Sequence, residues 1–283
     1  MIRRKQKTKE VLPKFKLRLA IGPCRSCTTA IANMLAQGDG DVTVFLRPII
    51  GGIWLNGCAD YRFFYGEHSQ QRKRNTATTF IAVESVCEPS RYDIFPPDDY
   101  DELICKTKPL FLFRQPLETW ISWKNNDIAT MIGQPDGKGM SNFEDFKSAY
   151  EYIYELYKQA KTITNDVLCL TKNHLSKNSK CILQILCSKW DIVFDECMVS
   201  THWKYKIDNN PNMVISGAEQ ELCFDINATY LKQIREKQGF QLCQSTDTCH
   251  FQETPEESDY IERVLMPMYN EVDAQSGRDF PLE

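Results

Sequence analysis

The chain has no uninterrupted apolar run of about 18 residues, so no segment reads as a transmembrane helix. Its first twenty residues, MIRRKQKTKEVLPKFKLRLA, are basic but contain no apolar h-region. They do not read as a secretory signal, and a cytoplasmic location is expected. Neither sign of charge dominates. The 34 Lys and Arg against 38 Asp and Glu leave a formal net charge of −4, which supplies neither a polycationic nucleic-acid surface nor an acidic tail. Histidine is scarce, with four residues, and no H-x3–5-H pair stands opposite a C-x-x-C to complete a zinc set. No internal repeat occurs. What remains is a soluble globular composition, and 283 residues fit one large domain. We expect a flexible basic arm over 1–15 and a single domain over 16–283 with a helical C-terminal part.

Cysteine, in contrast, is abundant. The twelve residues lie scattered through apolar stretches, as at Cys105, Cys169, Cys181 and Cys187, and without a signal peptide they read as reduced core residues. Cys24 and Cys27 form a lone C-x-x-C, a spacing shared by redox and zinc sites. His250 beside Cys249 and Cys243 adds only a weak zinc signal, and no metal is expected.

The pattern along the chain alternates strands with helices. KLRLAIG (16–22) reads as a strand ending at Gly22–Pro23, and TTAIANMLAQ (28–37) as a helix with Ile31, Met34 and Leu35 on one face. VTVFLRPI and TTFIAVESV (78–86) read as strands, and KPLFLFR (108–114) as a buried parallel strand. A helix follows from Pro116, where proline suits the first turn. The segment 141–161 carries Phe143, Phe146, Tyr150, Ile153, Tyr154 and Tyr157 at helical spacing, with Ser141 and Glu144 as a capping box. A strand (166–171) and a helix (179–192) come next. Two more helices are expected near 227–238 and over 255–273, the second capped by Thr254 and Glu257. This order predicts an α/β fold with a central, mainly parallel sheet flanked by helices in three layers.

Two strand-to-helix junctions carry chemistry. In GPCRSCTT, the backbone N–H groups around Ser26, Cys27, Thr28 and Thr29 fall at a helix N-terminus, where dipole and donors attract anions. Arg25 adds a forked cation. The ATP-type pattern G-x-x-x-x-G-K-S/T is not met, since Cys27 and Thr28 stand at the second Gly and the Lys. In PLFLFRQPLETWISW a strand ends in Arg114, and Ser122 follows eight residues later.

These two segments together resemble the PAPS-dependent sulfotransferase superfamily (PAPS is 3′-phosphoadenosine 5′-phosphosulfate). Its first loop has the form R/K-S-G-T-T/S after a strand. CRSCTT matches at Arg25, Ser26, Thr28 and Thr29 and departs at Cys24 and Cys27. FLFRQPLETWISW matches the second element at Arg114 and Ser122. The resemblance spans roughly 16–195 and implies a P-loop-like sulfotransferase architecture. It also implies that Pro23, Cys24, Arg25, Ser26, Cys27, Thr28 and Thr29 bind the 5′-phosphosulfate and Arg114 and Ser122 the 3′-phosphate of PAPS, with PAP as product. Sulfuryl transfer is in-line and needs a cation near the bridging oxygen and a base at the acceptor. Arg25 fits the cation. Glu84 is the first candidate base, followed by Glu88 and His68. The acceptor is expected to be a small molecule, as in natural-product tailoring, in a pocket for which Trp54, Tyr61, Phe63, Phe64, Trp120 and Trp123 are the aromatic candidates. No nucleic-acid or membrane partner is expected, and a homodimer stays open. A phosphate-loop kinase or other nucleotide transferase, or a non-catalytic nucleotide-binding module, are the alternatives.

Overall fold

The computed structural model describes residues 15–38, 41–49, 63, 78–87, 100–125, 142–215 and 253–282. Among these, six strands form one sheet: β1 (Lys16–Pro23), β2 (Val42–Leu46), β3 (Thr79–Val86), β4 (Leu110–Phe113), β5 (Leu168–Thr171) and β6 (Met213–Ile215). Their order is β5-β4-β1-β3-β2-β6, and every pairing is parallel. The α/β architecture expected from the strand–helix alternation is therefore present, with a wholly parallel sheet.

β1, β2, β3 and β4 are buried almost throughout because both faces of the sheet are covered. Leu17, Leu19 and Ile21 of β1 join Phe80 and Ala82 of β3 and Phe111 and Phe113 of β4 on one face. Ala20, Val44, Ile81, Val83, Leu110 and Leu112 line the other. The first face is packed by α2 (Tyr100–Thr107) through Leu103 and Ile104 and by α4 (Phe143–Ile163) through Phe146, Tyr150, Ile153 and Tyr157. The second is packed by α1 (Thr28–Ala36) through Ile31, Met34 and Leu35, and by α6 (Ser179–Trp190) through Ile182, Leu183 and Leu186. Each such fully buried aliphatic side chain contributes about 1.5–3 kcal/mol.

Three boundaries differ from the sequence expectation for local reasons. The cap of α4 is Asn142, whose side chain accepts the Asp145 N–H at 2.7 Å, so the Ser141–Glu144 box gives way to a cap one residue later. Glu144 pairs with Lys147 Nζ instead, at 2.5 Å. α6 ends at Trp190 rather than 192 because Asp191 turns left-handed (φ 57). The C-terminal helix runs past 273. It passes from α7 (Pro255–Tyr260) through a π-helical turn (Ile261–Leu265) into α8 (Met266–Asp279). The Thr254–Glu257 capping box at its start forms as expected, with Thr254 Oγ1 accepting the Glu257 N–H.

α8 also closes the β5 edge of the sheet. Ser276 Oγ accepts the Thr171 N–H at 3.1 Å and Asp279 Oδ2 the Cys169 N–H at 2.8 Å, so side chains take the edge donors that another strand would otherwise pair. The expected helix near 227–238 lies outside the described residues. No helix among the described residues is long and apolar enough to cross a membrane.

Candidate functional site

Because all strands are parallel, their C-terminal ends share one edge of the sheet, the edge at which ligands of open α/β folds bind. Four cations follow strand ends there: Arg25 after β1, Arg47 after β2, Arg114 after β4 and Lys172 after β5, the first residue of α5 (Lys172–Lys177).

The loop after β1 is held from below. Gly22 sits so close to β4 that a Cβ on it would come within 2.4 Å of the Leu112 carbonyl oxygen and 2.5 Å of Ser26 Oγ. This is the close approach that calls for glycine. Ser26, almost fully buried, donates its hydroxyl to the Pro23 carbonyl at 2.5 Å. Thr28 Oγ1 meets Ser85 Oγ at the end of β3. The Cys24 N–H continues the ladder to the Val86 carbonyl at 2.8 Å, and Trp123 Nε1 donates to the Cys24 carbonyl at 2.8 Å. Arg25 and Cys27 are both left-handed, each with φ 71. That pair of turns delivers the chain into α1, which starts without a side-chain cap. The first N–H groups of α1 are thus the donors a bound anion would meet. Ser26 and Thr28, expected to face the anion, are engaged through their hydroxyls in building the loop.

Arg25 Nε donates to Ser122 Oγ at 3.0 Å, on α3 (Pro116–Asn125). The two segments that stood out in the sequence are therefore brought into contact. Arg114, at the start of the second segment, is fixed through its backbone: its carbonyl accepts Tyr150 Oη at 3.0 Å. Its guanidinium donates to Glu118 Oε2 at 3.0 Å, and Lys172 Nζ donates to the same oxygen at 2.6 Å. Burial pushes the Glu118 carboxyl up, but the hydrogen bonds and charges of Lys172 and Arg114 outweigh it and hold the group below the usual carboxylate range. Among the described residues, these two half-buried cations share one carboxylate.

The candidate base Glu84 is 3% exposed and lies on the first face of the sheet, level with Ile21. Its Oε1 accepts the Ile49 N–H at 2.6 Å, so it ties down the turn after β2 rather than ending β3 in solvent. Glu88 and His68 lie outside the described residues. Of the aromatic candidates, Phe63, Trp120 and Trp123 are packed in the core, with Trp120 stacked on Phe146. Trp54, Tyr61 and Phe64 lie outside the described residues. Cys24 and Cys27 pack on opposite faces of the sheet, so the C-x-x-C does not form a chelating pair. Among the described residues no three His, Cys, Asp or Glu side chains converge as a metal set.

Sequence reasoning missed Lys172 and Arg47. Lys172 lies in TKNHL, and the available signal was its position immediately after a strand in an α/β fold.

No protein-family model and no curated protein matches the chain. Among solved structures it is similar to a mouse sulfotransferase, SULT7A1, complexed with PAP. The two share 13% identity at a TM-score of 0.47, and the alignment covers 94% of this chain and 86% of that one. That degree of likeness gives no residue of this chain a role.

Proposed function

We propose that the protein moves the sulfuryl group of PAPS to a hydroxyl or amine of a small-molecule acceptor. The observation that carries this reading is the Arg25–Ser122 hydrogen bond. It joins the loop with the capless helix N-terminus to the segment that holds Arg114, so two anion-binding elements face one space.

The residues fit a nucleotide phosphorylated at two ends. The N–H groups that open α1, with Thr29 and Arg25, would hold the 5′ end. Arg114 and Lys172 would hold the 3′-phosphate, and Ser122 would serve between them. PAPS supplies the activated sulfuryl group on a phosphate leaving group. Arg25 would stabilise the charge that develops on the leaving phosphate, a contribution realised mostly in the transition state. Glu84 is the candidate, among the described residues, to take the acceptor's proton. Natural-product tailoring, with a homodimer as a possible assembly, fits a small acceptor.

Calorimetric titration with PAP, with ADP and ATP as controls, tests the reading. Micromolar binding of PAP that exceeds both controls is the expected result. A preference for ATP would overturn it in favour of a nucleotide kinase. Glu84→Gln keeps an oxygen for the Ile49 N–H, so the turn after β2 survives. Loss of turnover with PAP affinity intact is expected, and undiminished turnover would remove Glu84 from the mechanism.

A further inference from the structure

The register of β1 and β3 pairs Pro23 with Val86, and the Cys24 N–H to Val86 carbonyl bond carries the ladder one step on. Cys24 and Cys87 are the residues that immediately follow the ends of these two strands. Adjacent strands lie about 4.8 Å apart, inside the roughly 4.4–6.8 Å between Cα atoms that a disulfide spans. Both side chains pack on the same face, in the same hydrophobic cluster. The C-x-x-C partner Cys27 packs on the opposite face. The pair is thus made by topology, from cysteines far apart in the chain, and not by the sequence motif.

The surroundings favour thiolate chemistry. The hydrogen bond from Cys87 pulls the Cys24 thiol down against the effect of burial. Arg47, Arg25 and the Arg25 N–H add to the pull and bring it to about 6. Cys24 is nearly inaccessible and Cys87 half-buried, so the two would divide the work of a redox pair.

We propose that Cys24 and Cys87 are a site of reversible oxidation, at which a small disulfide such as oxidised glutathione converts the two thiols into a bridge across the base of the anion loop. Cys87 attacks first because an oxidant can reach it. Its sulfur bonds to one glutathione sulfur, and the other glutathione leaves as a thiolate that takes the Cys87 proton. The Cys24 thiolate then attacks Cys87 Sγ, the mixed disulfide breaks, and the second glutathione leaves and takes the Cys24 proton. The two cysteines lose two electrons and one glutathione disulfide gains them. The bridge would tie Cys24 more tightly to β3. Arg25, next in the chain and already left-handed, would have to adjust, so oxidation should change how the loop holds an anion. This last consequence rests on the nucleotide-binding reading, whereas the bridge itself does not.

The test is peptide mapping of the full-length protein after incubation with oxidised glutathione, alkylation under denaturing conditions and digestion. A Cys24–Cys87 peptide two hydrogens lighter than its reduced halves, lost on dithiothreitol treatment, is expected. It should be absent from Cys24→Ser and Cys87→Ser and retained in Cys27→Ser. Cys24 recovered in the alkylated form while exposed Cys105 is fully glutathionylated would overturn the proposal, as would a Cys24–Cys27 bridge or a Cys87–glutathione adduct that goes no further. PAP titration of the two forms then reads the consequence. An affinity changed by about fivefold or more supports control of the loop, and equal affinity removes it. A protein that forms the bridge but binds PAP in neither form would sink the nucleotide reading and leave the dithiol standing.

Discussion

The two edges of this parallel sheet handle cations in opposite ways. At the N-terminal edge, Lys16 pairs with Asp191 and Lys108 with Asp166. Buried Arg18 donates Nε and Nη2 to the Trp190 carbonyl, at 3.1 and 2.9 Å, and Nη1 to the Leu17 carbonyl at 2.7 Å. Burial lowers the Arg18 pKa, and Asp191 and Asp166 oppose that shift. Each of these three positive groups faces a carboxylate or carbonyls. At the C-terminal edge, Arg114 and Lys172 share Glu118, and Arg25 donates to a neutral hydroxyl. Among the described residues the cations of the C-terminal edge thus have fewer carboxylate partners than those of the other edge, and the proposed function uses that asymmetry.

The largest expected effect comes from destroying the base of the C-terminal edge. Gly22→Ala sets a methyl group against the backbone oxygen of Leu112, which cannot swing away as a side chain would. A loss of about 3 kcal/mol or more is expected in chemical denaturation. Wild-type stability would mean that β1 and β4 are not so tightly apposed.

Single cations then separate the edges. Arg114→Ala should weaken PAP binding about 30-fold, the equivalent of about 2 kcal/mol for a charge-assisted contact, with a smaller change in stability. Lys16→Ala, whose partner Asp191 is solvent-exposed, should leave PAP affinity untouched. Equal effects of the two variants on affinity would erase the distinction between the edges.

Glu118→Gln sharpens the comparison by removing the shared carboxylate. Arg114 and Lys172 would then repel each other without a counter-charge, and the apo protein should lose about 1 kcal/mol after solvent screening. PAP should restore that loss, which thermal shift with and without PAP would show. The sign with pH follows from the lowered pKa of Glu118. Its contribution is present above the unfolded carboxylate pKa of about 4.3 and lost as pH falls through the lower folded value. The gap between wild type and variant should therefore close in acid. A variant as stable as wild type at neutral pH would show that Glu118 does not hold the two cations.

Much of this was legible in the sequence, and the reasons differ by element. The apolar run of β4 announced a buried parallel strand, and the GPCRSCTT and FLFRQ segments announced strand-to-helix junctions, because local chemistry specifies strand ends and helix starts. Contacts across the sheet were not legible. The hydrogen bond of Glu84 to the turn after β2 could not be read from its position in β3, and Trp120 and Trp123 looked like pocket walls until α4 packed against them. Lys172 and the Cys24–Cys87 pair depend on strand order, which periodicity does not encode.

The smallest effect bears on strain, and both edges carry it. Cys27 (φ 71) precedes α1 at the C-terminal edge, and Lys108 (φ 44) precedes β4 at the other. A non-glycine residue in this region costs about 1 kcal/mol, part of which glycine returns through its greater freedom in the unfolded chain. Cys27→Gly and Lys108→Gly should therefore each stabilise the protein slightly, by about 0.5 kcal/mol. Lys108→Gly also gives up the 3.6 Å pair with Asp166, a minor loss at the surface. Their effect on binding should differ. Relaxing Cys27 changes the turn that aims the first N–H groups of α1, so PAP affinity should shift severalfold, whereas relaxing Lys108 should leave it unchanged. If both variants gain stability and neither alters affinity, the strain at Cys27 is a cost of folding the loop and plays no part in shaping the anion site.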